Sequence, residues 1–427
     1  MIVNRPVFLI VCQVYPPDPT SVGQHVADAA AEMARRGYRV VVLTSARGYD
    51  DPAQVYPSRE VRDGVEVRRL PLSSFGKSSI AVRLLAQGVF LAQAIARGLC
   101  LRRLCGVLVT TSPPFGGVAG AAIGRVRRVP VKYWVMDLNP DQMVAMGLLP
   151  ARSPLVRVFD RFNRWILRQA CDIVVLDRFM CERVCGKLDV RAKTVTMPPW
   201  PHEDRIEEVP RDQNPFLRQH APAGAFVVMY SGNHSPANPI RTLLDAAECL
   251  RDDPRLLVLC VGGGNGKREV EERVRRGAAN IRSLPYEPLD RIRYSLSAAD
   301  VHVVSLGDNL VGIVHPCKVY GAMAVARPIL FLGPVPSHVG DLLAEHGIGW
   351  HVPHGDVDGL VRVLREMLAL PPERLQAMGR KAAAVVAASL NRRALMGRFC
   401  DVLQRGLPVP APGAVDSQRI EEGRVCP

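Results

Sequence analysis

The strongest constraint on this chain is an alternation that runs, stops and starts again. Six apolar stretches of strand length, Val7 to Gln13, Arg39 to Thr44, Val65 to Leu70, Gly106 to Thr111, Val131 to Met136 and Asp172 to Leu176, are separated by stretches with helical periodicity. Near-continuous apolar runs are what a strand needs when helices cover both faces of its sheet, and parallel strands need such crossovers to be joined at all. A second series opens at Ala225 to Ser231 and continues through Leu256 to Val261, Asn280 to Leu284, Val301 to Ser305 and Pro328 to Leu332. The restart predicts an α/β chain of two Rossmann-like, doubly wound domains facing each other across a cleft.

At 427 residues the chain has the length of two domains of roughly 200 residues each. The seam falls in "MPPWPHEDRIEEVPRDQNPF", Met197 to Phe216, whose prolines and charges suit a linker. Residues 1–200 and 201–390 are therefore read as the two domains. A helix from about Asn391 to Gln404 is a candidate to pack back across the first, and 408–427 is read as a disordered tail.

Charge is distributed unequally between the halves. Residues 1–200 hold 28 Lys and Arg against 15 Asp and Glu, or +13; the remaining 27 basic and 26 acidic residues give +1. A one-sided basic field favours an anionic partner. Nucleic acid is disfavoured, because the basic residues are not interleaved with aromatic stacking platforms. The 11 cysteines lack paired or zinc-type spacing, and Met1 to Pro6 runs straight into a strand, so a reduced, cytoplasmic protein without a signal peptide is expected. The longest apolar tract, Leu84 to Ala96, is bracketed by Arg83 and Arg97. It is too short to span a bilayer, which takes about 20 residues, and reads equally as a core helix or as one lying in the membrane interface.

Ligands of facing α/β domains bind at the carboxyl ends of the strands, so the segments after each strand carry the candidates. After the first strand Gly23 permits close backbone approach and His25 follows it. "TTSPPFGGVAG" after the fourth strand brings Ser112, and "WVMDLNPDQM" after the fifth brings Asp137 and Asp141. Asp137 at a strand tip is either a helix cap or a carboxylate for binding hydroxyls or accepting a proton. In the second half Gly232 and Asn233 follow a strand and lead to Arg241, while Gly262, Gly263 and Gly264 end the next. Glycines, helix-start amides and an arginine make a phosphate cradle. The stretch "VGIVHPCKVYGAMAVARPIL" predicts a helix beginning at Pro316, capped by His315, with Lys318 adding a full charge beside free amides. That is a seat for a leaving diphosphate.

Taken in order, "YPPD", "RRGYRVVVLT", "TTSPPF", "DLNPD", "SGNHS", "VGGG", "LPYEPLDRI", "AADVHVVSL" and "HPCKVYGAMAVARPIL" resemble the family-4 retaining glycosyltransferases of the B-type fold from Phe8 to Leu403. Within that family they resemble the bacterial O-antigen, capsule and colanic-acid subgroup, fucosaminyltransferases included. The resemblance implies a nucleotide-sugar donor, uridine-linked, bound by the second domain without metal or cofactor. Gly232, Asn233, Arg241, Pro316, Cys317 and Lys318 would face the diphosphate, and Gly262, Gly263, Pro285 and Tyr286 the nucleoside. Gly23, His25, Ser112, Asp137 and Asp141 would hold a polyprenyl-diphosphate-linked acceptor, with Lys318 and Asp137 catalytic. It also implies peripheral attachment to the anionic inner face of the plasma membrane. The chain departs from the wider family, whose two glutamates align with Ile313 and Gly321, and carries Cys317 where the subgroup has serine. Two other readings share the fold: a sugar-nucleotide 2-epimerase and a non-catalytic binding subunit.

Overall fold

A computed structural model describes residues 5–410, apart from 19, 49–50, 52, 72–79, 202–207 and 289. The expected tail lies almost wholly outside the described residues. The first sheet comprises β1 (Val7–Val11), β2 (Arg39–Ser45), β3 (Arg59–Arg62), β4 (Val65–Leu70), β5 (Leu104–Thr110), β6 (Val131–Trp134), β7 (Asp172–Val175) and β8 (Thr194–Thr196). Their spatial order is β3-β4-β2-β1-β5-β6-β7-β8, parallel except for the antiparallel edge strand β3. The second sheet takes β9 (Phe226–Ser231), β10 (Leu256–Val261), β11 (Ile281–Leu284), β12 (Val301–Ser305), β13 (Ile329–Leu332) and β14 (Gly349–Val352) in the order β11-β10-β9-β12-β13-β14, and all its pairs are parallel. This is the two-sheet α/β architecture that the restarted alternation predicts.

The central strands are buried along their whole length, as β1, β5, β10 and β12 all show. Three strands escape the sequence reading for physical reasons. The edge strand β3 reads Arg-Glu-Val-Arg and is largely exposed, so it shows no apolar run. The terminal strands β8 and β14 are only three and four residues long.

Each sheet has one point where the winding reverses. In the first, β1 lies between β2 and β5; in the second, β9 lies between β10 and β12. The loops leaving these strands splay apart there and open a crevice at their carboxyl ends. The segments around Gly23 and Ser112 leave the first such point, and those around Gly232 and Lys318 leave the second.

The chain ends by returning to the first sheet. The helix Arg392–Gln404 lies on the helix Ser21–Arg35, with Arg392 paired to Asp28 at 2.6 Å and Arg36 to Asp401 at 2.7 Å. Beneath these ion pairs Phe399 stacks on Trp134 at 4.1 Å, and Trp200 joins both rings. Trp200 opens the predicted linker, so its first residues are packed into the core; 202–207 lie outside the described residues.

The apolar tract Leu84 to Ala96 belongs to the helix Ile80–Leu99, whose Ala86, Phe90 and Ala94 are buried and which packs against the helix Gly116–Arg127. Leu85 is its exposed large apolar residue among those described. The core alternative therefore describes most of this helix. The side chains of Arg83 and Leu84 lie outside the described set.

Candidate functional site

The second domain builds a two-loop glycine platform under a lysine. Gly232 ends β9 at φ 131°, and Gly262 ends β10 at φ 132°, a backbone region that side chains rarely enter. A Cβ on Gly232 would collide with the Lys318 side chain, and one on Gly262 would collide with the Gly232 backbone. The absence of both side chains lets the loops nest and leaves a channel for Lys318. Its Nζ donates to the Tyr230 hydroxyl at 3.0 Å and to the Asn233 carbonyl at 3.4 Å, 4.9 Å from the Tyr230 ring centre. Lys267 fastens the platform from behind, donating to the carbonyls of Gly262 and Leu284, both at 2.6 Å. Burial lowers the Lys318 ammonium to about 8, so an arriving anion would find a cation short of counter-charge.

His234 lies between these lysines, 2 % exposed, with neither ring nitrogen in a well-formed hydrogen bond to any described residue. Burial, with Lys267 and Lys318 adding to it, pushes its pKa down to about 4, so the ring is neutral. Gly263 packs against Tyr286, itself exposed at the platform rim beside Pro285.

Gly262→Ala is expected to lower the melting temperature by about 5 °C, because strain of this kind costs about 1–3 kcal/mol and a domain of this size loses about 2–4 °C per kcal/mol. Gly186→Ala is the control, since a Cβ there meets nothing within 4 Å. Equal melting of the two variants would contradict the nested-loop reading.

The two domains meet directly beside this platform. The Leu138 amide donates to the Ile313 carbonyl at 3.0 Å, and Asp137 forms a bridge with Val314. Arg183 donates to the Val311 carbonyl at 2.5 Å, and Gly312, at φ 70°, lies so close to Phe179 that a Cβ would strike its backbone. A buried chain crosses the seam: His315 Nδ1 to Asp177 at 2.7 Å, His315 Nε2 to the Tyr320 hydroxyl at 2.7 Å, and that hydroxyl to His338 Nε2 at 2.9 Å. Burial would raise the Asp177 carboxyl, but the hydrogen bond and charge of His315 outweigh it and hold the carboxyl low. Asp177, His315 and His338 offer ligand atoms within 4.8 Å of one another; here those atoms are engaged through each other and Tyr320.

Asp137 stands at this seam, its amide and that of Met136 both donating to Thr111 Oγ1 at 3.1 Å. It lines a cavity of about 20 Å³ with Thr111, Tyr133, Asn139, Asn163 and Lys187. That volume holds about one water. Burial raises its carboxyl to about 6, against the pull of nearby His315.

The structure thus gathers Gly232, Asn233, Gly262, Gly263, Cys317 and Lys318 on one side of the cleft and sets Asp137 on the other. Several expected members stand elsewhere. Arg241 has a side chain 73 % exposed and paired to Glu269 at 2.8 Å, outside the group around Lys318. His25 is buried, with Nδ1 on the Ser21 carbonyl at 2.8 Å and Nε2 on the Trp200 carbonyl at 2.7 Å; it pins the start of the linker and presents no group to an acceptor. Asp141 is paired to Lys187 at 2.9 Å. Gly23 is buried in the helix start, its amide donating to Thr20 Oγ1. Ser112 is half-buried, and its carbonyl accepts from the Gln13 amide at 2.8 Å. The helix after Pro316 runs Lys318–Ala324, so it begins at Lys318, with Cys317 in the cap position and no side-chain cap bond. His315 does not cap it, since both its nitrogens are spent on Asp177 and Tyr320.

Sequence reasoning missed Tyr230, His234, Lys267 and Asp177. Lys267 was findable, because a lysine opening a helix after "GGGNG" repeats the logic applied to Lys318. Asp177 follows β7 and falls under the same strand-end rule.

Against known proteins, residues 20–200 match the family described as glycosyl transferase 4-like domain, and residues 225–370 the family described as glycosyl transferases group 1. The chain is 24 % identical over 373 residues to the putative colanic acid biosynthesis glycosyl transferase WcaI of Escherichia coli K12, covering 84 % of this chain and 91 % of that protein. It is 26 % identical over 240 residues to the probable glycosyltransferase WbjE of Pseudomonas aeruginosa, a match that spans 56 % of this chain and 60 % of that relative's length. Among solved structures, sucrose-phosphate synthase from Thermosynechococcus elongatus superposes with a TM-score of 0.73 at 17 % identity, over 94 % of this chain and 99 % of that one. Anabaena HepE in complex with UDP and glucose superposes with a TM-score of 0.70 at 15 % identity, over 94 % of this chain and 100 % of that one.

Proposed function

Because the chain belongs to the glycosyltransferases, a 4-like domain followed by a group 1 domain, we propose that it moves a hexosyl or N-acetylhexosaminyl group from a uridine-diphosphate-linked donor to a lipid-linked saccharide, with retention at the anomeric carbon, in cell-surface polysaccharide synthesis. The observation that carries this reading is the Lys318 ammonium laid in the channel between Gly232 and Tyr230, with no carboxylate bonded to it among the described residues. A cation held without a counter-anion suits a group whose negative charge grows as a bond breaks. The sugar–oxygen bond to the diphosphate breaks, and the charge left on the terminal phosphate oxygens is met by Lys318. The acceptor hydroxyl then bonds to the anomeric carbon from the face of the departing phosphate and releases its proton to a phosphate oxygen or to Asp137.

The structural neighbour HepE was solved in complex with UDP and glucose, which supports the base assignment. The basic first domain supports an acceptor bearing phosphate at a membrane surface.

Incubating the purified protein with labelled uridine-diphosphate sugars, with and without lipid-linked acceptor, tests the proposal. The expected product forms only when acceptor is present and keeps the donor's anomeric configuration. Release of an epimerised sugar nucleotide from donor alone would favour the 2-epimerase, and no turnover under either condition would favour a binding subunit.

Asp137 gives this reading a pH signature. Its carboxyl, raised by burial to about 6, accepts a proton only when ionised, so transfer should fall as pH drops through about 6. Asp137→Asn is expected to lower the rate by about a hundredfold and to lose that limb. Stability moves the other way: a folded-state pKa above the unfolded value means the ionised form is disfavoured, so the native side chain costs stability above pH 6. Asp137→Asn should therefore melt higher than wild type at pH 8 and together with it at pH 4. A variant that is slower but melts lower at pH 8 would point to a lost structural bond instead.

A further inference from the structure

The helix Pro154–Gln169 combines two surfaces that serve one reaction. On its inner side Asn163 donates to the Asn139 carbonyl at 2.7 Å, and Asn163 and Leu167 line the cavity that holds Asp137. On its outer side Leu155, Val158 and Phe162 are 36 %, 49 % and 44 % exposed. They recur at i, i+3 and i+7 and so form a stripe along the helix. Arg157, Arg161, Arg164 and Arg168 recur at i, i+4, i+7 and i+11 and form a second stripe beside it, all exposed. Half-buried Trp165 stands between the two.

Residues 151–170 carry five arginines and one acid, Asp160, a net charge of +4. That acid is already drawn to Lys187 at 2.6 Å and lies 3.7 Å from Arg164, so it leaves the arginine stripe cationic. Leu148, in the loop before this helix, is 59 % exposed as well. Neighbouring helix Gly116–Arg127, which packs against this one, ends in Arg125, exposed Val126 and Arg127 and repeats the pairing of cation with apolar side chain.

We propose that this face seats the protein on an anionic bilayer, with Leu155, Val158 and Phe162 entering the headgroup boundary and the four arginines lying against lipid phosphate. The inference rests on the lipid-linked acceptor proposed above and names the surface that would bring such an acceptor to Asp137. Amphipathic helices with an arginine face and a Leu, Val and Phe face lie in this way, their axis in the membrane plane. A large exposed apolar stripe is otherwise a cost to a protein in water, and the positive charge selects lipid phosphate over an apolar protein surface. The membrane contact moves accordingly from the helix Ile80–Leu99, which is mostly packed, to this helix.

Co-sedimentation of the full chain with vesicles of phosphatidylcholine alone, and of phosphatidylcholine mixed with phosphatidylglycerol, tests the surface. Binding is expected to the mixed vesicles only and should weaken as salt rises from roughly 0.1 M to 1 M, which shortens the screening length from about 10 Å to about 3 Å. Each lost basic contact is worth about fivefold, so Arg157→Glu with Arg161→Glu should weaken binding about thirtyfold or more. Leu155→Ser with Phe162→Ser should weaken it and leave what remains at least as salt-dependent as wild type, because the arginines then carry it alone. Equal binding to neutral vesicles, or variants that bind like wild type, would overturn the proposal, as would variants that change only the oligomeric state in light scattering, which would make the face a contact between copies of the chain. Transfer to a short-chain, water-soluble acceptor is measured on the same samples. Transfer without vesicle binding removes the docking surface and leaves the acceptor reading standing; vesicle binding without transfer to any lipid-linked acceptor does the reverse.

Discussion

Lys318→Ala is expected to lower turnover a hundredfold or more while leaving the fold intact. The magnitude follows from what the ammonium would do: removing one preorganised group that meets developing negative charge in a water-poor site costs about 10²–10³ in rate. The geometry makes Lys318 hard to replace. The Gly232 channel aligns its stem, the Tyr230 hydroxyl and the Asn233 carbonyl hold its Nζ at 3.0 and 3.4 Å, and burial has already lowered its pKa to about 8. Lys318→Arg should not restore the rate, because a planar guanidinium does not pass the same channel. The fold should tolerate the loss, since removing a partly desolvated cation relieves a cost. Steady-state kinetics beside a melting curve check both halves; a variant with near wild-type turnover would remove Lys318 from the chemistry.

Phe399→Ala is expected to cost about 3–5 kcal/mol, the range for a buried aromatic cut to alanine. Phe399 has no solvent exposure and sits on Trp134 at 4.1 Å and Trp200 at 5.7 Å. All three are far apart in sequence yet close one core, in the first domain. The loss should therefore appear in the melting of the first domain, reported by a red shift in tryptophan emission. The ion pairs Arg392 to Asp28 and Arg36 to Asp401 would still hold the helix at the surface, but such pairs contribute about 1 kcal/mol or less each. An unchanged first-domain transition would mean that the terminal helix is an ornament on that domain.

These two residues illustrate what the sequence could and could not reveal. Lys318 was legible because its signal is local: a proline, a lysine and a short apolar helix in one run of residues. The central strands were legible for the same reason, since β1 and β10 are continuous apolar runs. Phe399 carried a helical pattern, but its partners Trp134 and Trp200 lie hundreds of residues away, and no spacing rule reaches that far. His25 shows the opposite failure. Placed after the first strand it resembled a cleft residue, yet its ring is buried and two carbonyls claim it. Arg241 failed because an arginine at a helix start answers to any nearby acid, and Glu269 from the next helix was the nearer one. The Asp177, His315, Tyr320 and His338 chain was invisible for a simpler reason: Asp177 comes from the first domain and meets His315 only where the two domains dock.

The central claim is that a nucleotide diphosphate lies over Gly232 and Gly262 against Lys318. Its most direct test is thermal stabilisation of the wild-type protein and of Lys318→Ala by a panel of nucleoside diphosphates and their sugars. The account predicts a saturable rise in melting temperature with a uridine compound, worth about 2.7 kcal/mol at a hundredfold excess over Kd, and its loss in the variant. No rise with any compound, or the same rise in both proteins, would contradict it.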